Sequence, residues 1–218
     1  MKLFQTNLNL ATYSENSLAL ITPFGICASE FECPGIITPP PSRKEQTEKG
    51  ILLTTWENLS YQMECLRTPF RPILSNDMYI DECFALIWRV EVKNKISISW
   101  KCCLDSQAGS CETGENLVSC IFENQTHTLS IGTEDEERLN HRAEKNQWVP
   151  DRLKNHINEK NVLCLASGLK VNFDNLLPGD RIQIHFLVAW SNVEKRAIST
   201  WTAVDQSYNK ILQGSDFF

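Results

Sequence analysis

Apolar and polar residues take turns most cleanly over Leu176–Trp190, L-L-P-G-D-R-I-Q-I-H-F-L-V-A-W. Pro178 fixes one backbone angle and Gly179 accepts positive φ, so Leu177–Asp180 reads as a tight turn. Beyond it Ile182, Ile184, Phe186, Val188 and Trp190 share one face of an extended strand, with Arg181, Gln183, His185, Leu187 and Ala189 on the other. That second face starts polar and turns apolar at Leu187, which predicts that its far half is covered by a helix or a loop. Upstream, Leu169, Val171 and Phe173 alternate. Downstream, Ser191–Arg196 suits a hairpin loop, and Ala197–Val204 returns with β-favouring Ile198, Thr200, Trp201, Thr202 and Val204. Leu169–Val204 is therefore expected to form three consecutive antiparallel strands.

The same period recurs upstream. Phe84, Leu86, Trp88, Val90 and Val92 alternate, then Lys93-Asn94-Lys95, then Ile96, Ile98, Trp100 and Cys102, a hairpin by pattern. Its other face carries Arg89, Glu91, Ser97, Ser99 and Lys101, which suits water or a partner. Shorter β-leaning runs are Leu3–Tyr13, Ser17–Ile26, Ile51–Trp56, Leu59–Leu66, Leu117–Phe122, His127–Ile131 and Val162–Ala166. Cys27–Pro41 reads as irregular and Asp105–Asn116 as loop. Thr38–Gly50 joins the triplet Pro39-Pro40-Pro41 to a charged run, the pattern of a flexible exposed loop and a possible docking site for a proline-recognising partner.

The texture changes at Thr133. Thr133-Glu134-Asp135-Glu136 fits a capping box, acids cluster over Glu134–Glu137, and Arg138, Arg142 and Lys145 follow. Leu139 and Ala143 make a thin apolar stripe, Pro150 breaks the helix, and Leu153 and Ile157 restart a short one. Leu187 and Ala189 are the expected seat of this segment. The chain is thus expected to be mainly β: one antiparallel β-sandwich domain over 1–218, of roughly eight to ten strands, with a helical insertion at 134–157.

The pattern L-x-V-x-F…L-x-P-G-D-x-I-x-I-x-F-x-V-x-W, over about a sixth of the chain, resembles the last strands of immunoglobulin-like and fibronectin type III-like sandwiches. The resemblance implies a layout and carries no function.

Composition narrows this only a little. The 218 residues are 42% hydrophobic and 22% charged, ordinary for a globular protein, with a net charge of −6. An acidic surface disfavours nucleic-acid binding. No apolar run is long enough to span a bilayer, and the first residues lack the apolar core of a signal peptide, so no membrane association is expected. Nine cysteines, an odd number, then suggest reduced thiols in a cytoplasm. Without a secretory signal, the glycosylation tripeptides at Asn58 and Asn124 weigh little.

Cys102, Cys103, Cys111 and Cys120 crowd together, but they lack the paired C-x2-C spacing of a zinc site, and adjacent residues of a strand point to opposite faces. No metal and no cofactor is expected. His127, His141, His156 and His185 offer bases for a cysteine nucleophile, yet no cysteine-protease, nucleophile-elbow, phosphate-loop, dinucleotide or zincin motif is present, so no catalytic residue is assigned. Six tryptophans are many for this length. Trp88, Trp100 and Trp190 fall in phase with the core, which leaves Trp201, Trp148 and Trp56 as candidates for a partner-binding surface. His185, mid-strand on the non-core face, and Pro39, Pro40 and Pro41 join them. The expected function is a non-enzymatic intracellular binding or accessory module that engages a protein partner through a sheet face, an edge strand or the proline loop. The alternatives are a hydrolase with a dispersed Cys/His or carboxylate site, and a subunit of a nucleic-acid-handling complex.

Overall fold

The computed structural model describes residues 17–46, 51–75, 77–105, 107–192 and 198–206. The expected run Leu3–Tyr13 and the tail from Ser207 lie outside the described residues, as does most of the connection after Asn192. The fold is mainly β, two antiparallel sheets packed face to face with few helices. One sheet has five strands in the order β1 (Ser17–Thr22), β2 (Gly25–Glu32), β7 (Ile96–Leu104), β12 (Gly168–Leu176) and β11 (Val162–Leu165). The other has eight: β3 (Arg43–Gln46), β4 (Leu52–Glu57), β5 (Tyr61–Pro69), β6 (Glu82–Val92), β13 (Arg181–Asn192), β10 (His127–Glu134), β9 (Leu117–Glu123) and β8 (Ser110–Gly114). Helix α1 spans Glu136–Glu144, a 3-10 turn covers Asp151–Leu153, and α2 spans Ile198–Val204.

The alternation is borne out residue by residue. Ile182, Ile184, Phe186, Val188 and Trp190 of β13, Leu86, Trp88, Val90 and Val92 of β6, Ile96, Ile98, Trp100 and Cys102 of β7, and Leu169, Val171 and Phe173 of β12 all lie buried in one core between the sheets. Aromatic rings carry that core. Trp56 stacks on Trp88 at 5.8 Å between centroids, Phe31 touches both Trp88 and Trp100, and Phe173 meets Trp100 edge-on at 6.3 Å. The Trp88 indole N–H donates to Ser29 Oγ at 2.9 Å, so burial leaves it no unmet donor.

The pairing differs from the expected hairpins. β6 and β7 belong to different sheets, as do β12 and β13, so each polar turn carries the chain across the sandwich rather than along a ladder. The turn at Leu177–Asp180 forms as predicted, with Gly179 at φ +89. It does so as a crossing: the Gly179 amide donates to Val92 O at 2.8 Å and the Val92 amide to Asp180 O at 2.9 Å. Cys27–Pro41 and Asp105–Asn116 hide strands β2 and β8. Arg43–Gln46, inside the expected flexible loop, is edge strand β3, fully exposed and paired with β4. Among the described residues thirteen strands stand where roughly eight to ten are expected from periodicity.

The helical insertion is present at 134–157, shifted at its start. Asp135, not Thr133, caps α1, its carboxylate accepting from the Arg138 amide at 2.9 Å. Leu139, Ala143 and Ile157 are buried as expected. The insertion does not sit on Leu187 and Ala189. That apolar patch is covered by α2, whose Ala203 and Val204 pack with Leu117, Leu187 and Ala189. The predicted third strand Ala197–Val204 is therefore a helix where it is described. The asparagines of both glycosylation tripeptides instead build turns: Asn58 Oδ1 accepts from the Ser60 and Tyr61 amides, and Asn124 Oδ1 from those of Thr126 and His127.

Candidate functional site on the outer face of the eight-stranded sheet

β13 pairs with β6 along Arg181–Trp190, but with β10 only over Leu187–Asn192. Past Gly132 the chain leaves the ladder for α1. The edge of β13 at Gln183 and His185 then lacks a neighbouring strand, and a buried edge must find other partners. The end of β10 and the α1 segment supply them. Trp148 O accepts from the Gln183 amide at 2.8 Å, the Arg142 guanidinium donates to Gln183 O at 2.9 Å, and the Thr133 hydroxyl donates to His185 O at 2.7 Å. Arg142 also donates twice to Gln147 O and once to the Glu134 carboxylate. The insertion thus stands in for a missing stretch of strand.

A charged cluster results, closed to water. Glu134 and Arg142 are both buried, and Arg138 Nε lies 3.6 Å from the second Glu134 oxygen. His185 Nδ1 lies 3.8 Å from Glu134, beyond hydrogen-bond reach, and has no hydrogen-bond partner among the described residues; neither has Gln183 Nε2. Burial pushes the His185 imidazole down to about 4, against the pull of the Glu134 carboxylate, so it is neutral at pH 7. Burial pushes Glu134 up, but Arg142, by charge and hydrogen bond, and Arg138 outweigh it and hold the carboxylate below its ordinary range. With His185 at 2% and Glu134 at 3% exposure, no substrate reaches either group. The cluster holds the insertion to the sheet and links two clefts.

The larger cleft, of about 410 Å³, is lined by Gly114, Asn116, Leu117, Arg138, Trp201 and Asp205, among others. Gly114 is required beneath the indole: a Cβ there would stand 2.7 Å from Trp201 Cζ2. The smaller cleft, of about 130 Å³, is lined by Thr55, Gln62, Glu64, Arg89, Glu91 and Trp148 with their neighbours. The Arg89 guanidinium lies 5.0 Å from the centre of the Trp148 ring and that of Arg181 6.0 Å away. Arg89 also donates to Gln183 at 2.6 Å and to Glu64 at 3.1 Å, which ties this cleft to the buried cluster. Trp148 is held at φ +55, a left-handed backbone that a bulky residue rarely adopts.

Of the residues singled out from sequence, Trp148 and Trp201 are half-buried and each lines a cleft. Trp56 is 1% exposed, a core residue with no face for a partner. His185 is likewise buried, where a polar outer face had suggested solvent. Pro39 and Pro41 are half-buried and Pro40 exposed, on the stretch that leads from β2 to β3. Neither cleft is lined by a cysteine or a histidine. Sequence reasoning missed Glu134, Arg142, Arg89 and Gln183. The polar start of the outer face of β13 pointed to solvent, and no local spacing pointed to a lid above it. Cys83 is buried, and burial raises its thiol. Cys111 and Cys164, for which reduced thiols were expected, are paired as a disulfide, their Cα atoms 6.3 Å apart.

No family model matches the chain, and no curated protein matches it. Among solved structures it is similar to one described as "Putative kojibiose phosphorylase from human microbiome", at 10% identity and a TM-score of 0.49, over 85% of this chain and 26% of that one. The chain thus spans about a quarter of that protein's length.

Proposed function

We propose that the chain is a binding module that engages a protein partner through the outer face of its eight-stranded sheet, with Trp148 as its principal contact and Trp201 as the second. The observation that carries this reading is the setting of Trp148. A half-buried indole stands between two arginines on a left-handed backbone. Such a backbone costs on the order of 1–3 kcal/mol and persists where surrounding structure enforces it, often at ligand-contacting positions. Tryptophan and arginine are also the side chains that most often dominate binding energy at interfaces. The buried cluster below fixes the geometry in advance, so a partner meets a surface already ordered. A Cys/His hydrolase is less well supported, because His185, Cys83 and Cys120 are all buried away from both clefts.

The test is recovery of binding partners by the full chain and by Trp148→Ala, with Leu59→Ser, at a site 88% exposed, as control. Removing a dominant contact weakens binding about thirtyfold, the equivalent of 2 kcal/mol. A partner held as tightly by Trp148→Ala and by Trp201→Ala, with near-ultraviolet circular dichroism unchanged, removes the proposal.

A further inference from the structure

The sulfurs of Cys111, Cys120 and Cys164 lie within 4.8 Å of one another. They come from three strands and from both sheets. Cys111 and Cys120 are opposed partners in the β8–β9 register, and Cys164 belongs to β11, the edge strand of the other sheet. Cys120 shares a face with Val118 and Phe122 and points between the sheets, toward Leu165 O at 3.9 Å. A Cβ at Gly109 would stand 2.8 Å from the Cys120 sulfur, so glycine lets the loop close over it. That loop is fastened by the Gly109 amide donating to Ala166 O at 2.8 Å. The cluster is therefore walled on the Cys120 side, while Cys111 and Cys164 are exposed.

We propose that these three cysteines form a site for one soft divalent cation, zinc in the first instance, which the Cys111–Cys164 disulfide and the cation occupy in turn. A dithiol reductant opens the disulfide to two thiols and is itself oxidised to its disulfide. Three thiols and one zinc ion then give a three-thiolate complex of charge −1 and release three protons. Zinc–sulfur bonds of about 2.3 Å set tetrahedral sulfurs about 3.8 Å apart, so the Cys111 and Cys164 sulfurs, once reduced, part to that spacing, while Cys120 already lies within 4.8 Å of both; β8 and β11, which carry the parting pair, are edge strands. The fourth position faces solvent and takes water. Spacing along the chain conceals the site, because its ligands are brought together by the meeting of two sheet edges and not by a short loop. The cation displaces the thiol protons as it binds, so binding strengthens as pH rises.

The test uses the full chain, reduced with excess phosphine and freed of reductant without air, and titrated with cobalt(II) as a spectroscopic stand-in. Thiolate-to-cobalt charge-transfer bands saturating at one equivalent, and bleached by zinc, are expected. The unreduced protein should give none. Cys120→Ser should bind at least tenfold more weakly, and Cys102→Ser, in the core beside Cys27 and outside the cluster, should bind as the parent does. Reduced protein that takes up no cobalt at one equivalent, or Cys120→Ser binding undiminished, overturns the proposal. Should Cys120→Ser not fold, alkylation of the unmutated protein decides. Zinc is expected to slow modification of Cys111 and Cys164 at least tenfold, and equal rates with and without zinc count against the site.

Discussion

The outer face of β13 is closed twice, by opposite means. Under α2 lie Leu187 and Ala189, met by Ala203, Val204 and Leu117. Two and four residues earlier on the same face lie His185 and Gln183, met by Arg142, Glu134 and Arg89. The apolar half closes by excluding water, which demands shape and little else. The polar half closes a broken ladder, which demands that each exposed carbonyl and amide find a particular partner. The two halves are similarly buried, yet the polar one depends on single atoms and on pH, and the apolar one depends on volume. The larger cleft opens between α2 and Arg138, the smaller beside Arg89 on the polar side, and each has a tryptophan in its lining.

The largest effect is expected from the polar half. Arg142→Met removes the main counter-charge of buried Glu134 and the donor to Gln183 O and Gln147 O in one step. Breaking a buried pair from one side costs about 3–5 kcal/mol. Urea unfolding should show that loss. Adding Glu134→Leu should return part of it, because the stranded charge goes while the two carbonyls stay unmet. A single-variant loss below about 1 kcal/mol, the scale of a surface pair, would falsify the view that this cluster holds the insertion to the sheet.

Acid should separate the halves next. In the unfolded chain His185 titrates near its ordinary 6.5, whereas burial holds it at about 4 in the fold. Between those values the unfolded chain binds a proton that the folded one refuses. Stability is therefore whole above pH 6.5 and falls as pH drops toward 4, by on the order of 3 kcal/mol. Glu134, held below its ordinary range, stays ionised through that window and adds its own loss only at lower pH. His185→Gln should flatten the slope of urea midpoint against pH between 6.5 and 4.5. An unchanged slope assigns the titration to another group.

The same contrast explains what could be read from residues alone. Alternation tells inside from outside, and Ile182–Trp190 and Leu86–Val92 obeyed it throughout. It does not say which strand lies alongside, so β6–β7 and β12–β13 looked like hairpins although each turn crosses between sheets. Arg43–Gln46 and Ser110–Gly114 are edge strands with almost no buried side chain, and a pattern of burial cannot reveal them. Ile198, Thr200, Thr202 and Val204 favour a strand by type, yet the segment coils because Ala203 and Val204 then reach Leu187 and Ala189 together. Of the candidate site, Trp148 and Trp201 were set apart because they fell outside the core phase, but so was Trp56, which is buried, and the strand phase assumed for Trp201 is that of a helix. The charged lid was not legible: Glu134, Arg142 and Gln183 meet only once the β10 ladder has ended, and no local spacing encodes where a ladder ends.

The apolar half offers the smallest and most diagnostic perturbation. Gly132 is the last residue of β10 to pair with β13, opposite Leu187, and α2 lies directly above it. A Cβ at Gly132 would stand 2.7 Å from both Cβ and Cγ2 of Val204 and 3.1 Å from Leu117 Cδ1. No real packing tolerates the first distance, so in Gly132→Ala the helix must lift. Overpacking of this kind costs about 1–3 kcal/mol, and because no charge is involved the loss should be the same at pH 7 and pH 5. Val204→Ala, which removes Cγ2 but keeps Cβ, should recover part of the loss when combined with Gly132→Ala, a coupling that a double-mutant cycle reads directly. A loss that instead grows in acid would mean that lifting α2 also disturbs Glu134, two residues further along the same face of β10, and that the two closures are one cooperative lid rather than independent halves.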